Sequence, residues 1–190
     1  MFIIAAVLLC IATVPLAGGR LSRLDHLRLR KTLLLTLSLT IQILIISVFP
    51  DRFTGIHVPA HLASYVMAGM FFYANRDVSG LWMTGLGGGL NFAAISANGG
   101  VMPTSAEAVA AAGAPTASHD AFINSAPMLD SRLSWFGDIF AMPSSWPMSN
   151  VFSVGDVLIV VGIAVVVHRA ACSRLGMIFP LRRPATDLNA

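Results

Sequence analysis

Charge is what this sequence has least of. Only 11% of its 190 residues are Asp, Glu, Lys or Arg, against 56% hydrophobic and a mean hydropathy of +0.76. A soluble domain carries roughly 25% charged residues, so composition argues against water as the main solvent. Cysteine is nearly absent. Cys10 and Cys172 lie at opposite ends of the chain and build no redox or metal-binding pair. Gly85-Leu86-Gly87-Gly88-Gly89 lacks the Lys-Ser/Thr and the preceding strand of a phosphate loop, and His57 and His61 lack the glutamate of an HExxH site. No basic segment precedes Phe2-Ile3-Ile4, so the first apolar run reads as a retained helix rather than a cleaved signal peptide. Without an internal repeat or a charge in mid-run, a transporter is disfavoured. No cofactor is expected.

What the sequence does have is long uncharged runs. They cover 1–19, 32–50, 53–75 and 78–105, with a shorter one at 157–167. A helix of about 20 residues crosses about 30 Å of hydrocarbon. The expectation is therefore an all-α integral membrane bundle, a single membrane domain of about five spans at 1–19, 32–50, 56–74, 79–97 and 152–168. Arg20, Arg23, Arg28, Arg30, Lys31, Arg76, Arg169, Arg174, Arg182 and Arg183 then share one face, ten of the twelve Lys/Arg. The positive-inside rule makes that face cytoplasmic, with the N-terminus outside and the 169–190 tail inside. The pI near 9.4 accordingly reflects orientation, and nucleic acid is not an expected partner. Membrane lipid is, along with a membrane-protein or peptide partner. Leu21, Leu24 and Leu27 suggest a short surface helix between the first two spans. Gln42 should face another helix. Gly85 and Gly89 have the spacing of a close helix–helix contact.

The 98–151 segment should form a partly helical extracytoplasmic cap. Thr104-Ser105-Ala106-Glu107 followed by alanines and Gly113 predicts a two-turn helix over 105–112. Three clusters meet at that face: Asn98-Gly99-Gly100, Trp135-Phe136-Gly137-Asp138 and Phe152-Ser153-Val154-Gly155-Asp156. Asp138 and Asp156 are candidate catalytic carboxylates, since two aspartates in reach share a proton and serve as base and acid. Asn98, Gly99, Gly100 and Ser153 are candidate substrate contacts. The plainer reading of Ser153-x-x-Asp156 is a capping box, and that of Gly99-Gly100 is a turn. His57 and His61, four apart, are weak metal candidates.

The combination NGGVMP (98–103), WFGD (135–138) and VFSVGD (151–156) resembles an uncharacterised, actinobacterial-type family of multispan membrane proteins. That resemblance implies a bacterial cytoplasmic (inner) membrane location and no assigned activity. The 133–140 and 151–156 segments also resemble, more weakly, the two aspartate motifs of lipoprotein signal peptidase. That likeness implies an aspartyl-type membrane peptidase using Asp138 and Asp156. It departs from the family in having Ser153 for asparagine and Gly155 for alanine. A non-catalytic membrane scaffold or ligand-binding protein is the other reading.

Overall fold

The computed structural model describes residues 2–48, 54–113, 125–128, 130–147 and 149–178. Asp51, Arg52, Asp120, Arg182 and Arg183, and with them the end of the tail, lie outside the described residues. The main helices are α1 (Phe2–Leu16), α2 (Thr32–Ile43, running on into a π-helical turn Leu44–Val48), α3 (Thr54–Ala74), α4 (Leu81–Ala97) and α6 (Val154–Ala170). Among the described residues the other α-helices are the short α5 (Ala106–Ala112) and α7 (Arg174–Met177). In space α2 packs on α3, α3 on α4, α4 on α6 and α6 on α1. The tightest seam is α4 against α6, where small residues let the backbones meet. A side chain at Gly87 would collide with the Gly155 carbonyl and with Ile159, and one at Gly162 with Thr84.

Two corrections to the sequence reading follow. Among the described residues no helix is long and apolar enough to cross a membrane. That overturns the five-span bundle, and with it the transmembrane description and the multi-pass inner-membrane location with its N-out, C-in orientation. The physical reason is helix length. At 1.5 Å per residue, the 17 residues of α4 or α6 reach about 25 Å, short of about 30 Å of hydrocarbon. The 21-residue α3 is long enough but carries His57, Pro59, His61 and Ser64 in its first half. The uncharged run 78–105 overstated helix length because turns cut it: Gly80 has φ 94° just before α4, and Gly99 and Gly100 have φ 69° and 96° just after it. The architecture is also not purely helical. Strand β1 (Met102–Thr104) pairs parallel with β2 (Ser125–Pro127), and β3 (Phe140–Met142) pairs antiparallel with β4 (Asn150–Phe152).

The basic segments do gather at one end of the helices. Arg30 N–H donates to Asn75 Oδ1 at 2.7 Å and Asn75 Nδ2 returns a bond to the Arg30 carbonyl at 2.8 Å. The Arg20 amide reaches the Ala171 carbonyl at 3.0 Å and the Arg174 amide the Ala17 carbonyl at 2.9 Å. The linker between α1 and α2 holds a 3-10 turn, Leu21–His26. At the opposite end β1 packs against α4, and α5 packs against β3 and β4, the strand that leads into α6. Helix α5 forms where its caps dictate: the Ser105 side chain accepts the Ala108 N–H, and Gly113 closes the helix in the left-handed region at φ 60°.

Candidate functional site

The site is assembled around the first turn of α6. Ser153 is the N-cap: its Oγ accepts the Asp156 N–H at 3.0 Å, while Asp156 Oδ2 accepts the Ser153 N–H at 3.0 Å. This capping box satisfies two amides that the helix start would otherwise leave unpaired. A third residue crosses the seam to lock it. Asn91 of α4 donates from Nδ2 to Asp156 Oδ1 at 2.8 Å and accepts the Ser153 hydroxyl at Oδ1, 2.9 Å away. The approach is possible because Gly155 has no side chain; a Cβ there would overlap Asn91 Oδ1.

Asp138 enters from the cap. A 3-10 turn, Ser134–Phe136, and Gly137 deliver it beside β1. Its amide donates to the Pro103 carbonyl at 2.9 Å and its own carbonyl accepts the Ser105 amide at 3.1 Å. Its side chain is buried, and Oδ2 accepts the Ser125 hydroxyl at 2.6 Å. Ser125 also meets Thr104 Oγ1 at 2.5 Å. Because the Ser125 proton points at the carboxylate, Thr104 is the donor in that contact. Burial pushes Asp138 up from 3.8 to about 6; the Ser125 bond pulls it down, and the charge on Asp156 adds to the rise. Tyr65 of α3 reports the same field. Burial, then the charges of Asp156 and Asp138, push its hydroxyl upward.

The other candidates from the sequence are placed as follows. Asn98 is engaged locally: Nδ2 donates to the carbonyls of Ala94 and Arg132, each at 2.7 Å, and Oδ1 accepts the Arg132 amide at 2.9 Å. It ties the cap to the end of α4. Gly99 and Gly100 form the turn there, and a Cβ on Gly100 would strike Val58. His57 and His61 are both buried on α3. His61 Nδ1 lies 3.4 Å from the Gly100 carbonyl and its ring packs 5.4 Å from Tyr65. Burial lowers the pKa of His61, with the Gly100 carbonyl opposing. Among the described residues no three His, Cys, Asp or Glu side chains are grouped to hold a metal ion. The structure thus joins Asp156 to Ser153 and Asn91, holds Asp138 on Ser125, and directs the amide of Asn98 elsewhere.

Sequence reasoning missed Asn91, Tyr65, Thr104 and Ser125. Asn91 had a legible signal: Gly80, Thr84, Gly87 and Asn91 recur at four- and three-residue steps, a stripe of small and polar residues down α4. The Gly85–Gly89 pair lies on a different face. Ser125 and Thr104 carried no signal, since only strand pairing brings them to Asp138.

DUF5317, a family of unknown function, matches residues 26–168, which include every residue of the site. No curated protein and no solved structure matches the chain. The expectation of an uncharacterised family is met at that level, while the likeness to lipoprotein signal peptidase, and the peptidase activity it implied, finds no support.

Proposed function

The chain belongs to the DUF5317 family, whose function is unknown, and from its own geometry we propose that it is a binding protein that receives a positively charged group at Asp138 and Asp156. One observation carries this reading: among the described residues neither carboxylate has a basic partner, although Asp138 is only 7% exposed. Buried carboxylates are normally paired with a cation, because desolvating a lone charge is expensive. A protonated amine entering from outside would supply that partner.

The hydrogen bonds favour binding over acid–base hydrolysis. A shared-proton pair requires the two carboxyl groups to bond to each other. Here the Asp156 oxygens face Asn91 Nδ2 and the Ser153 amide, and Asp138 Oδ2 faces Ser125. In this reading Asn91 and Ser153 are positioning residues for Asp156, and Thr104 and Ser125 for Asp138. The test is calorimetric titration of the full chain with alkylammonium ions at pH 7.5. Saturable binding is expected, weakened at least about tenfold by Asp138→Asn, since removing one member of a buried charge pair costs about 2–5 kcal/mol. Binding that ignores this substitution would sink the reading.

A further inference from the structure

We infer that His168 is a pH-sensitive latch that, while neutral, ties α7 to the ends of α1 and α6 and, once protonated, releases it. The latch sits at the far end of α6 from Asp156 and does not depend on the amine-binding reading. His168 is only 6% exposed, and both nitrogens of its ring meet hydroxyls. Nδ1 lies 2.8 Å from Ser173 Oγ at the start of α7, and Nε2 lies 3.2 Å from Thr13 Oγ1 of α1.

The direction of each bond follows from counting protons. Thr13 Oγ1 donates to the Cys10 carbonyl at 2.8 Å, so its one proton is committed. Toward the ring it can only accept, and Nε2 must carry the hydrogen. In the neutral ring Nδ1 is then bare, and it accepts the Ser173 hydroxyl. Ser173 Oγ in turn accepts the Gly176 N–H at 3.2 Å, which caps α7. Every donor and acceptor in this chain is matched, in one tautomer and one charge state. A cationic ring carries a hydrogen on both nitrogens. Nδ1 would then point a proton at Ser173, whose own proton would lose its acceptor.

The junction leaves little freedom to adapt. Val14, Ala171 and Ser173 are fully buried. A Cβ on Gly19 would strike Val14 and Ser173, and one on Gly176 the His168 carbonyl. The ionisable groups on the elements packed against α6 here are Cys10 on α1, Arg23, Asp25 and His26 in the 3-10 turn, and Arg174 on α7. Arg169 lies on α6 itself, Arg20 and Cys172 lie in the connections, and α4 has none. Asp25 is the single acid in that set, and it is exposed. A buried charge with no carboxylate bonded to it is expensive, so protonation loosens the junction. Helix α7 is what yields. Leu175, Met177 and Ile178 are exposed, so little apolar burial holds it, and segments of that kind open first. With it go two reciprocal backbone bonds, Arg174 N–H to the Ala17 carbonyl and Arg20 N–H to the Ala171 carbonyl, that fix two cations of this end.

The experiment is NMR and amide hydrogen exchange on the full isotope-labelled chain in mild detergent, from about pH 8 to about pH 5, the interval in which histidine changes charge. At the upper end the His168 ring should be the Nε2–H tautomer. After correction for the intrinsic pH dependence of exchange, protection of the Gly176 amide should fall about tenfold or more on acidification, the equivalent of losing one or two hydrogen bonds. His168→Gln, whose amide can donate to Thr13 and accept from Ser173 without taking up a proton, should keep Gly176 protected throughout. Ser173→Ala removes the hydroxyl from the ring and should leave Gly176 unprotected at both ends of the range. An Nδ1–H tautomer in the neutral chain, protection that does not change with pH, or a fall in His168→Gln as large as in the native chain overturns the latch. Should His168→Gln fail to fold, Ser173→Ala decides, and a pH response there as large as the native one has the same force.

Discussion

Asp138 is the residue whose surroundings most constrain how the protein responds to pH. Its folded pKa, about 6, lies above its ordinary 3.8. Between those values the folded chain holds a proton that the unfolded chain has released, so this group favours folding at low pH. Its contribution declines as pH rises through about 4 to 6, on the order of 2–3 kcal/mol in all. Urea unfolding of the native chain and Asp138→Asn should therefore show a variant that gains relative stability as pH rises across that window; parallel pH profiles would contradict the assignment. Amine binding should move the opposite way and weaken below about pH 6, where Asp138 loses its charge. Asn91 makes the second prediction at this scale. Asn91→Leu strips partners from Ser153 Oγ and Asp156 Oδ1 and should lower stability by about 1–3 kcal/mol. An unchanged urea midpoint would show that the lock across the seam is not formed.

At the scale of elements, α4 carries two kinds of glycine, and substitution separates them. Gly155 of α6 and Gly87 of α4 sit where the two backbones touch. Gly155→Ala pushes a methyl group into the Asn91 amide and should destabilise by about 1–3 kcal/mol. Gly88→Ala meets open space and should stabilise by about 0.5–1 kcal/mol through helix propensity alone. Paired melting curves read both, and a loss of stability in Gly88→Ala would mean that this position is packed. The polar residues of the neighbouring helices follow the same inward logic. Gln42 Nε2 donates to Ser64 Oγ at 3.0 Å and Ser38 Oγ to the Ser64 carbonyl at 2.7 Å, joining α2 to α3.

The described helices pack in the order α2, α3, α4, α6, α1, and beside a small apolar core that includes Val14, Phe71 and Ile95 many polar side chains are buried while many large apolar ones are exposed. Ser38, Ser64, Thr84, Asn91 and Ser153 are buried, while Leu8, Leu9, Leu33, Ile43, Ile56 and Trp82 are exposed. Large exposed apolar patches mark contact surfaces. In plain buffer the purified chain should self-associate, and mild detergent should disperse it; sedimentation velocity distinguishes the two, and a lone monomer without detergent would contradict the expectation. Lipid, as a surface contact, is the partner we propose for these faces, and co-flotation with anionic vesicles measures it.

The amino-acid order alone determined the features whose partners lie within a turn or two of chain. The caps of α5 at Ser105 and Gly113, the Ser153–Asp156 box and the break at Gly99-Gly100 could all be read there, because each depends on local backbone geometry. Asp138 and Asp156 could be picked out as a candidate pair, but their setting could not. The contact of Asn91 with Asp156 spans 65 residues, and that of Ser125 with Asp138 needs a turn and two strands to bring it about. Whether any helix is both long and apolar enough to cross a membrane also escaped the sequence, since an uncharged run records composition, whereas a helix ends where its backbone hydrogen bonds are interrupted. Which glycines meet a neighbouring helix and which face open space was decided by packing, because a missing side chain has no meaning until something stands opposite it.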